Sequence, residues 1–277
     1  MINGNTQLIA HIGYPTHAFK SSMIYNPYFE KENINAVVVP FGSKPEDYPG
    51  LLREVFKLSN IAGALITMPH KITTIGLIDE ISPTAEIAGA CNAVRRTEDG
   101  RLQGDMFDGE GFVRGVKRKG VDVLGKRVLV VGSGGVGSAI AASLAAAGIA
   151  EISLYDVNPA SALALGQRLS KHYSQLVVNE GLNDPEGHDV VVNATPMGMN
   201  EGEPMPMDVS RIAASTFVGE VVMRTEMTAF LTAAQARGCL VQIGTDMLYE
   251  QIPAYLEYFG FPTTTPDVLR AGSRISY

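Results

Sequence analysis

The stretch RVLVVGSGGVGSAIAASLAAAG, residues 127–148, constrains the fold more than any other part of the chain. Its first residues form a continuous apolar run, as expected of a parallel strand buried on both faces. Gly132, Gly134 and Gly137, with Gly135 and Val136 between them, then make a G-x-G-x-x-G turn that opens an Ala-rich helix. A second apolar run, EISLYD, ends in Asp156, 24 residues after Gly132. A strand, a glycine turn, a helix and a second strand ending in an acid form the dinucleotide-binding pattern. Gly132 permits the tight turn, Gly134 lets backbone N–H groups approach a pyrophosphate, and Gly137 lets the helix pack close to the strand. The helix N-terminus adds partial positive charge for the phosphates. A carboxylate at Asp156 accepts hydrogen bonds from ribose hydroxyls and repels a 2′-phosphate. YDVNPAS carries no Arg to hold such a phosphate, so NAD is expected rather than NADP. Asp156 has a structural alternative, capping the helix that begins near Pro159.

The chain has 277 residues, enough for about two domains of roughly 100–200 residues each. Hydrophobic residues make up 45% and charged residues 18%, a composition able to bury a core. A net charge of −7 without a Lys/Arg stripe argues against nucleic acid and anionic membranes as partners. Cys91 and Cys239 stand in unrelated contexts and read as buried free thiols of a reducing compartment. MINGNTQLIA has no basic and apolar leader pattern, and Ile140 to Ala150 is too short to span a bilayer. A soluble, cytoplasmic protein is expected.

Short β-rich runs alternate with amphipathic stretches before residue 107. Strands are expected at 7–12, 35–40, 63–67, 91–96 and 101–105, and helices at 22–31, 45–58 and 71–80, with a turn or helix at 83–88. Residues 108–120 read as a connecting helix. Further strands at 176–180, 189–194, 216–222 and 240–244, with helices between, complete a doubly wound sheet. Asp246 to Tyr258 reads as a helix that returns to the first domain. The fold class is α/β: an N-terminal substrate domain (1–107), a Rossmann NAD-binding domain (108–244) and a C-terminal helical return (245–277).

Lys71 follows the strand GALIT and the turn TMPH, where ligands gather in α/β folds. Asp108 lies at the junction of the two halves, where a cleft is expected. A Lys and an Asp across a cleft can hold an alcohol and move its proton as hydride leaves to NAD. Spacing alone does not pair them. The five histidines, His11, His17, His70, His172 and His188, have no metal-ligand spacing, and no metal is expected.

GYP at 13–15, ITMPHK at 66–71, AGACNAV at 88–94, G-x-x-x-D-x-x-G at 104–111, VVGSGGVGSA at 130–139, NATPMGM at 193–199 and GTDMLYEQ at 244–251 occur in the order found in the shikimate dehydrogenase family. Over nearly its whole length the chain resembles that family, which includes NAD-using quinate/shikimate dehydrogenases. The resemblance implies that Lys71 and Asp108 are the catalytic pair. It leaves open whether Lys71 is the base or only orients the hydroxyl. It also implies that Asn92, Thr67 and Gln251 contact substrate, that Asn193, Thr195 and Met197 line the nicotinamide, and that Gly244 lies near its carboxamide. The implied partner is a small cyclic hydroxy acid, and the chain is expected to be a monomer or homodimer.

The family loop is typically G-x-P-x-x-H-S-x-S-P, and its two serines bind the substrate carboxylate together with a Tyr. Here Ala18 stands for the His, Phe19 for the first Ser and Ser22 for the Pro, while Ser21 keeps the second Ser. Leu65 and Met106 replace two amides, and Met223 stands where the Tyr is expected. Each buried hydroxyl left unpaired costs about 1–3 kcal/mol, so shikimate itself is expected to bind less well. Ser22, Lys20, Tyr25 and Arg224 are possible replacements, Arg224 because a guanidinium grips a carboxylate with two hydrogen bonds. The reading is an NAD-dependent oxidoreductase acting on a secondary alcohol of shikimate or a related cyclic hydroxy acid. The alternatives are a non-catalytic sensor of NAD and a small acid, or a dehydrogenase of an aminated or less hydroxylated relative.

Overall fold

In the computed structural model, which describes residues 2–200 and 202–275, the apolar runs pair into two six-stranded sheets. The chain divides into two compact units, one made of residues up to Phe107 together with those from Ile252 onward, the other of Asp108–Gln251.

The first unit holds β1 (Gln7–Gly13), α1 (Ser22–Lys31), β2 (Ala36–Gly42), α2 (Tyr48–Val55), β3 (Ile61–Ile66), α3 (Lys71–Thr74), β4 (Glu80–Ile81), α4 (Pro83–Ala88), β5 (Ala93–Arg96) and β6 (Leu102–Asp105). Its sheet order is β2-β1-β3-β5-β6-β4. β1 is parallel to both β2 and β3, and β5 runs antiparallel to β3 and β6. One core lies where β1 and β3 meet α2, with Ala10, Ile12, Leu52, Ala64 and Ile66 buried together. α4 is delimited by local chemistry. Ser82 accepts the Ala85 N–H at 3.1 Å, Pro83 stands at the first turn, and Gly89 closes the helix at φ +62°.

The helix expected over 71–80 is a single turn. Thr73, Thr74 and Ile75 are β-branched and Gly76 follows them, a run that disfavours helix. Glu80 and Ile81 instead pair with Gln103 and Gly104 as an edge strand.

The second unit holds α5 (Asp108–Arg118), β7 (Arg127–Val131), α6 (Gly135–Ala146), β8 (Glu151–Tyr155), α7 (Pro159–His172), β9 (Val177–Glu180), β10 (Val190–Asn193), β11 (Phe217–Glu220), α8 (Ala229–Ala236), β12 (Val241–Gln242) and the start of α9 (Gly244–Tyr258). The order β12-β11-β10-β7-β8-β9 is parallel throughout. The strand order reverses between β7 and β10, the switch point where α/β sheets bind ligands. Val128, Leu129 and Val130 are fully buried, as a strand covered on both faces requires.

The last seven residues of α9, from Ile252, belong to the first unit, where Phe107 packs on Tyr255 and Tyr258 at ring distances of 4.9 and 5.2 Å. A further helix, α10 (Pro266–Gly272), packs on α1 within the expected helical return, beyond the one helix placed at 246–258; Thr265 caps it and Pro266 opens it. Of the segment 245–277, residues 276 and 277 lie outside the described residues. Cys91 and Cys239 are buried free thiols. No helix of the described residues is long and apolar enough to cross a membrane.

Candidate active site

In the first unit, the end of β1 delivers His11 and Gly13 to the loop that leads into α1. His11 is buried, and its Nδ1 is hydrogen-bonded to the Ser21 hydroxyl. Its ring stacks on Phe19, with centroids 4.1 Å apart and planes at 26°. Burial and then the nearby Lys71 charge push the His11 imidazole down to about 4, so it is neutral near pH 7. Gly13 is required by this packing: a Cβ there would lie 2.4 Å from Thr67 Cγ2 and 2.9 Å from Phe19 Cζ. The Ala18 side chain lies outside what the structure describes.

The turn after β3 is held by buried polar contacts. The Thr67 N–H donates to Ile12 O at 2.9 Å, and Thr67 O accepts the His70 N–H at 3.0 Å. His70 is 1% exposed, stacks on Tyr48 at 4.0 Å, and its Nε2 lies 2.8 Å from Ser43 O. The Thr74 hydroxyl donates to His70 O at 2.9 Å. This cluster presents the half-buried Lys71 at the start of α3. The Lys71 carbonyl accepts the Cys91 N–H at 2.9 Å, which ties Lys71 to the Asn92 segment. Asn92 is 2% exposed, and its Oδ1 accepts the Phe107 N–H at 2.9 Å.

The structure thus gathers Phe19, Ser21 and Lys71 around His11. The sequence reading placed His11 only among histidines without metal spacing. Its signal was a polar residue two positions before Gly13, at the end of an otherwise apolar strand.

In the second unit, Gly132 has φ +104°, and a Cβ there would lie 2.7 Å from Ala194 O. At Gly137 a Cβ would lie 1.9 Å from Gly132 O. Gly134 and Gly135 face open space, with nothing within 4 Å of an added Cβ. Beside them the Ser133 hydroxyl is buried and has no hydrogen-bond partner among the described residues. An open glycine turn at a helix N-terminus, with an orphaned donor, fits the pyrophosphate of a dinucleotide. Val136 lies in the first turn of α6.

Asp156 does not cap α7; Asn158 does so, accepting the Ala160 N–H at 3.3 Å. Asp156 instead accepts the Ser133 N–H at 2.7 Å and the Asn158 N–H at 2.9 Å, which fixes its carboxylate beside the glycine turn. At the end of β10, Asn193 folds the next turn. Its Oδ1 accepts the Thr195 N–H and hydroxyl at 3.1 and 2.6 Å, and its Nδ2 donates to Met197 O at 3.0 Å. Gly244 opens α9 against β11's extension, where a Cβ would lie 2.1 Å from Val222 O.

Asp108, 5% exposed, is the first residue of α5. Gly109 and Gly111 let that helix press on α6 and α9, since added Cβ atoms would lie 2.0 Å from Ala139 O and 2.5 Å from Met247 O. Gln251 on α9 is 9% exposed, and its Oε1 has no hydrogen-bond partner among the described residues. Arg224 is exposed and donates to Asn200 Oδ1 at 2.8 Å, and Met223 is 37% exposed. Among the described residues no cluster of His, Cys, Asp or Glu could hold a metal ion.

Comparison with known proteins settles the ancestry. A profile of the shikimate dehydrogenase substrate binding domain matches residues 11–94, and one of the ThiF family matches residues 114–161. A shikimate dehydrogenase (NADP(+)) of Rubrobacter xylanophilus is 34% identical over 272 residues, covering 96% of this chain and 94% of that protein. The chain belongs to the shikimate dehydrogenase family. A quinate/shikimate dehydrogenase of Escherichia coli is 30% identical, covering 90% of each. Shikimate 5-dehydrogenase from Listeria monocytogenes, solved with shikimate and NAD, superposes with a TM-score of 0.89 at 26% identity, covering 98% of this chain and 97% of that one. The two-sheet α/β fold is therefore that of shikimate dehydrogenases. The protein is an oxidoreductase of the shikimate/quinate dehydrogenase type, with a nicotinamide dinucleotide as its cofactor. The family's relatives are named for NADP(+) in some cases and solved with NAD in others.

Proposed function

We propose that the protein is an NAD-dependent dehydrogenase that oxidises a secondary alcohol on a cyclic hydroxy acid related to shikimate, in a reducing compartment. Asp156 carries the cofactor choice. Its carboxylate is fixed by two backbone N–H groups at the rim of the glycine turn, and no Arg follows it within Val157–Ser161. A 2′-phosphate placed there would meet a like charge.

NAD supplies the hydride acceptor, and this chain's residues do the rest. Ser133 and the N–H groups of 134–137 hold the pyrophosphate, and the turn ordered by Asn193, with Gly244, frames the nicotinamide. Lys71 and Asp108 bind the reacting hydroxyl and take up its proton. Asn92, Thr67 and Gln251 orient the ring; the orphaned Gln251 Oε1 calls for a donor that a substrate hydroxyl provides. Ser21 holds one substrate oxygen, and Phe19 makes the wall beside it apolar. Arg224, exposed and bonded to Asn200, supports a substrate role less than these do.

The test is reduced-cofactor formation across a panel of cyclic hydroxy acids, with NAD and NADP in parallel. Turnover with at least one acid, faster with NAD, is expected. Lys71→Ala should lower it by about 10²–10⁴-fold while cofactor binding is kept. Near-normal turnover in that variant would overturn the catalytic assignment. No turnover with any acid despite tight NAD binding would favour a sensor.

A further inference from the structure

Glu220 ends β11 as the last residue of the buried run FVGE. It is 0% exposed. In the parallel register it stands beside Asn193, whose side chain builds the turn to Met197. Its Oε2 accepts the Thr228 hydroxyl at 3.0 Å, while its Oε1 has no hydrogen-bond partner among the described residues. A buried carboxyl with one oxygen unanswered is costly, and such a group needs an explanation.

Among the described residues no charge packed against it compensates it. Val191 of β10 and Val218 of β11 pack with Phe230 and Leu231 of α8, so the face that carries Glu220 is the face under α8. β10 (VVVN), β12 (VQ) and α8 (AFLTAAQA) bring no titratable side chain to it. α5, with Asp108, Glu110 and Arg114, lies on the other face, where Phe112 covers Gly219. In the adjoining loops Arg224 and Glu226 are exposed, and Glu203 is engaged with the Gly198 and Asn200 N–H groups.

We propose that Glu220 is a proton-linked positioning residue for the nicotinamide end of the cofactor, favouring the oxidised, positively charged ring over the reduced, neutral one. This rests on the reading above that the Asn193–Met197 turn frames the nicotinamide. The oxidised ring carries a formal positive charge and the reduced ring does not. In the free protein, burial raises the Glu220 carboxyl to about 7, against the lowering effect of Thr228 and Asn193. A cation brought close lowers it again. Binding of the oxidised cofactor then releases a proton from Glu220, and its affinity rises with pH until the free carboxyl is itself ionised. Binding of the reduced cofactor moves no proton at this site.

Calorimetric titration with oxidised and reduced cofactor from pH 6 to 8, in two buffers of different ionisation enthalpy, tests this without turnover. For the oxidised form, Kd should fall about five- to tenfold between pH 6 and 8, with release of up to one proton at the lower pH. For the reduced form, Kd should stay flat. Glu220→Gln should remove the slope and Glu220→Asp should retain it. The same slope in Glu220→Gln, the same slope for both cofactor forms, or no proton release in the unaltered protein would overturn the proposal. The last needs no variant, so a misfolded Glu220→Gln leaves it testable. Failure to bind any dinucleotide would overturn the functional reading, and this inference with it.

Discussion

At the carboxyl edge of the second sheet, the proposed cofactor recognition is made by backbone. Gly132, Gly134, Gly135 and Gly137 remove side chains so that N–H groups and a helix end can face a ligand; added Cβ atoms at Gly132 and Gly137 would meet backbone first, and those at Gly134 and Gly135 would meet open space. At the carboxyl edge of the first sheet, the proposed substrate recognition is made by side chains. His11, Phe19, Ser21 and Lys71 gather at the loop end, and Gly13 there is held by close approach of side chains as well as backbone. The first arrangement tolerates few residue types, because a methyl group at Gly137 collides with the chain itself. The second can exchange polarity while its strands stay in place.

The sharpest break in this comparison is Gly137→Ala. The added Cβ would lie 1.9 Å from Gly132 O, so strand and helix must separate. The expected cost is about 1–3 kcal/mol or more, read as a lower thermal midpoint and loss of cofactor binding. Gly134→Ala is its control, since nothing lies within 4 Å of that Cβ. Its thermal midpoint should be unchanged, while cofactor affinity falls by about tenfold or more, equivalent to about 1.4 kcal/mol. An unaltered cofactor titration for Gly134→Ala would show that no phosphate group approaches there.

Asp156→Asn should sharpen the same edge. Removing the carboxylate's charge while keeping an oxygen acceptor relaxes discrimination against NADP by about tenfold. Equal ratios of kcat/KM for the two cofactors before and after the change would sink the account of NAD preference. Phe19→Ser tests the other edge. Placing a hydroxyl beside Ser21 should lower KM for shikimate by about tenfold, from one added hydrogen bond of about 1–3 kcal/mol. If KM rises instead, the Phe19 ring contributes more by packing on His11 than the added hydroxyl does by binding.

The contrast also explains what was legible in the sequence. Glycines at fixed spacing and an acid ending the next strand state the dinucleotide turn outright, because backbone geometry dictates them. α1, α5 and the strands of the second unit follow from apolar patterning, while their order becomes visible only in the structure. The edge strand Glu80–Ile81 is not legible, and Glu80 falls in the helix expected over 71–80, because two residues carry no periodicity and their pairing with Gln103 and Gly104 is remote in sequence. The roles of His11 and Glu220 were hidden for a related reason. Each is one polar residue at the end of an apolar strand, and its meaning comes from neighbours, Ser21 and Phe19 in one case, Asn193 and Thr228 in the other. Asp156 is legible in the same strand-end position because the glycine motif precedes it.

The smallest expected effect concerns acid stability of the first unit. His11 is held at about 4 in the folded chain against 6.5 for an ordinary imidazole. The unfolded chain binds the proton more readily, so the contribution of neutral His11 is fully present above pH 6.5 and is lost as pH falls from there toward 4. His11→Leu removes this one source of acid lability. Its thermal midpoint should therefore fall less than that of the unaltered protein between pH 7 and 4.5, by roughly 2–4 °C. The comparison is between the two slopes, since Leu also loses the Ser21 hydrogen bond at every pH. Parallel slopes would mean that the His11 ring accepts its proton inside the fold, and that the Ser21–Phe19 loop opens to let water reach it.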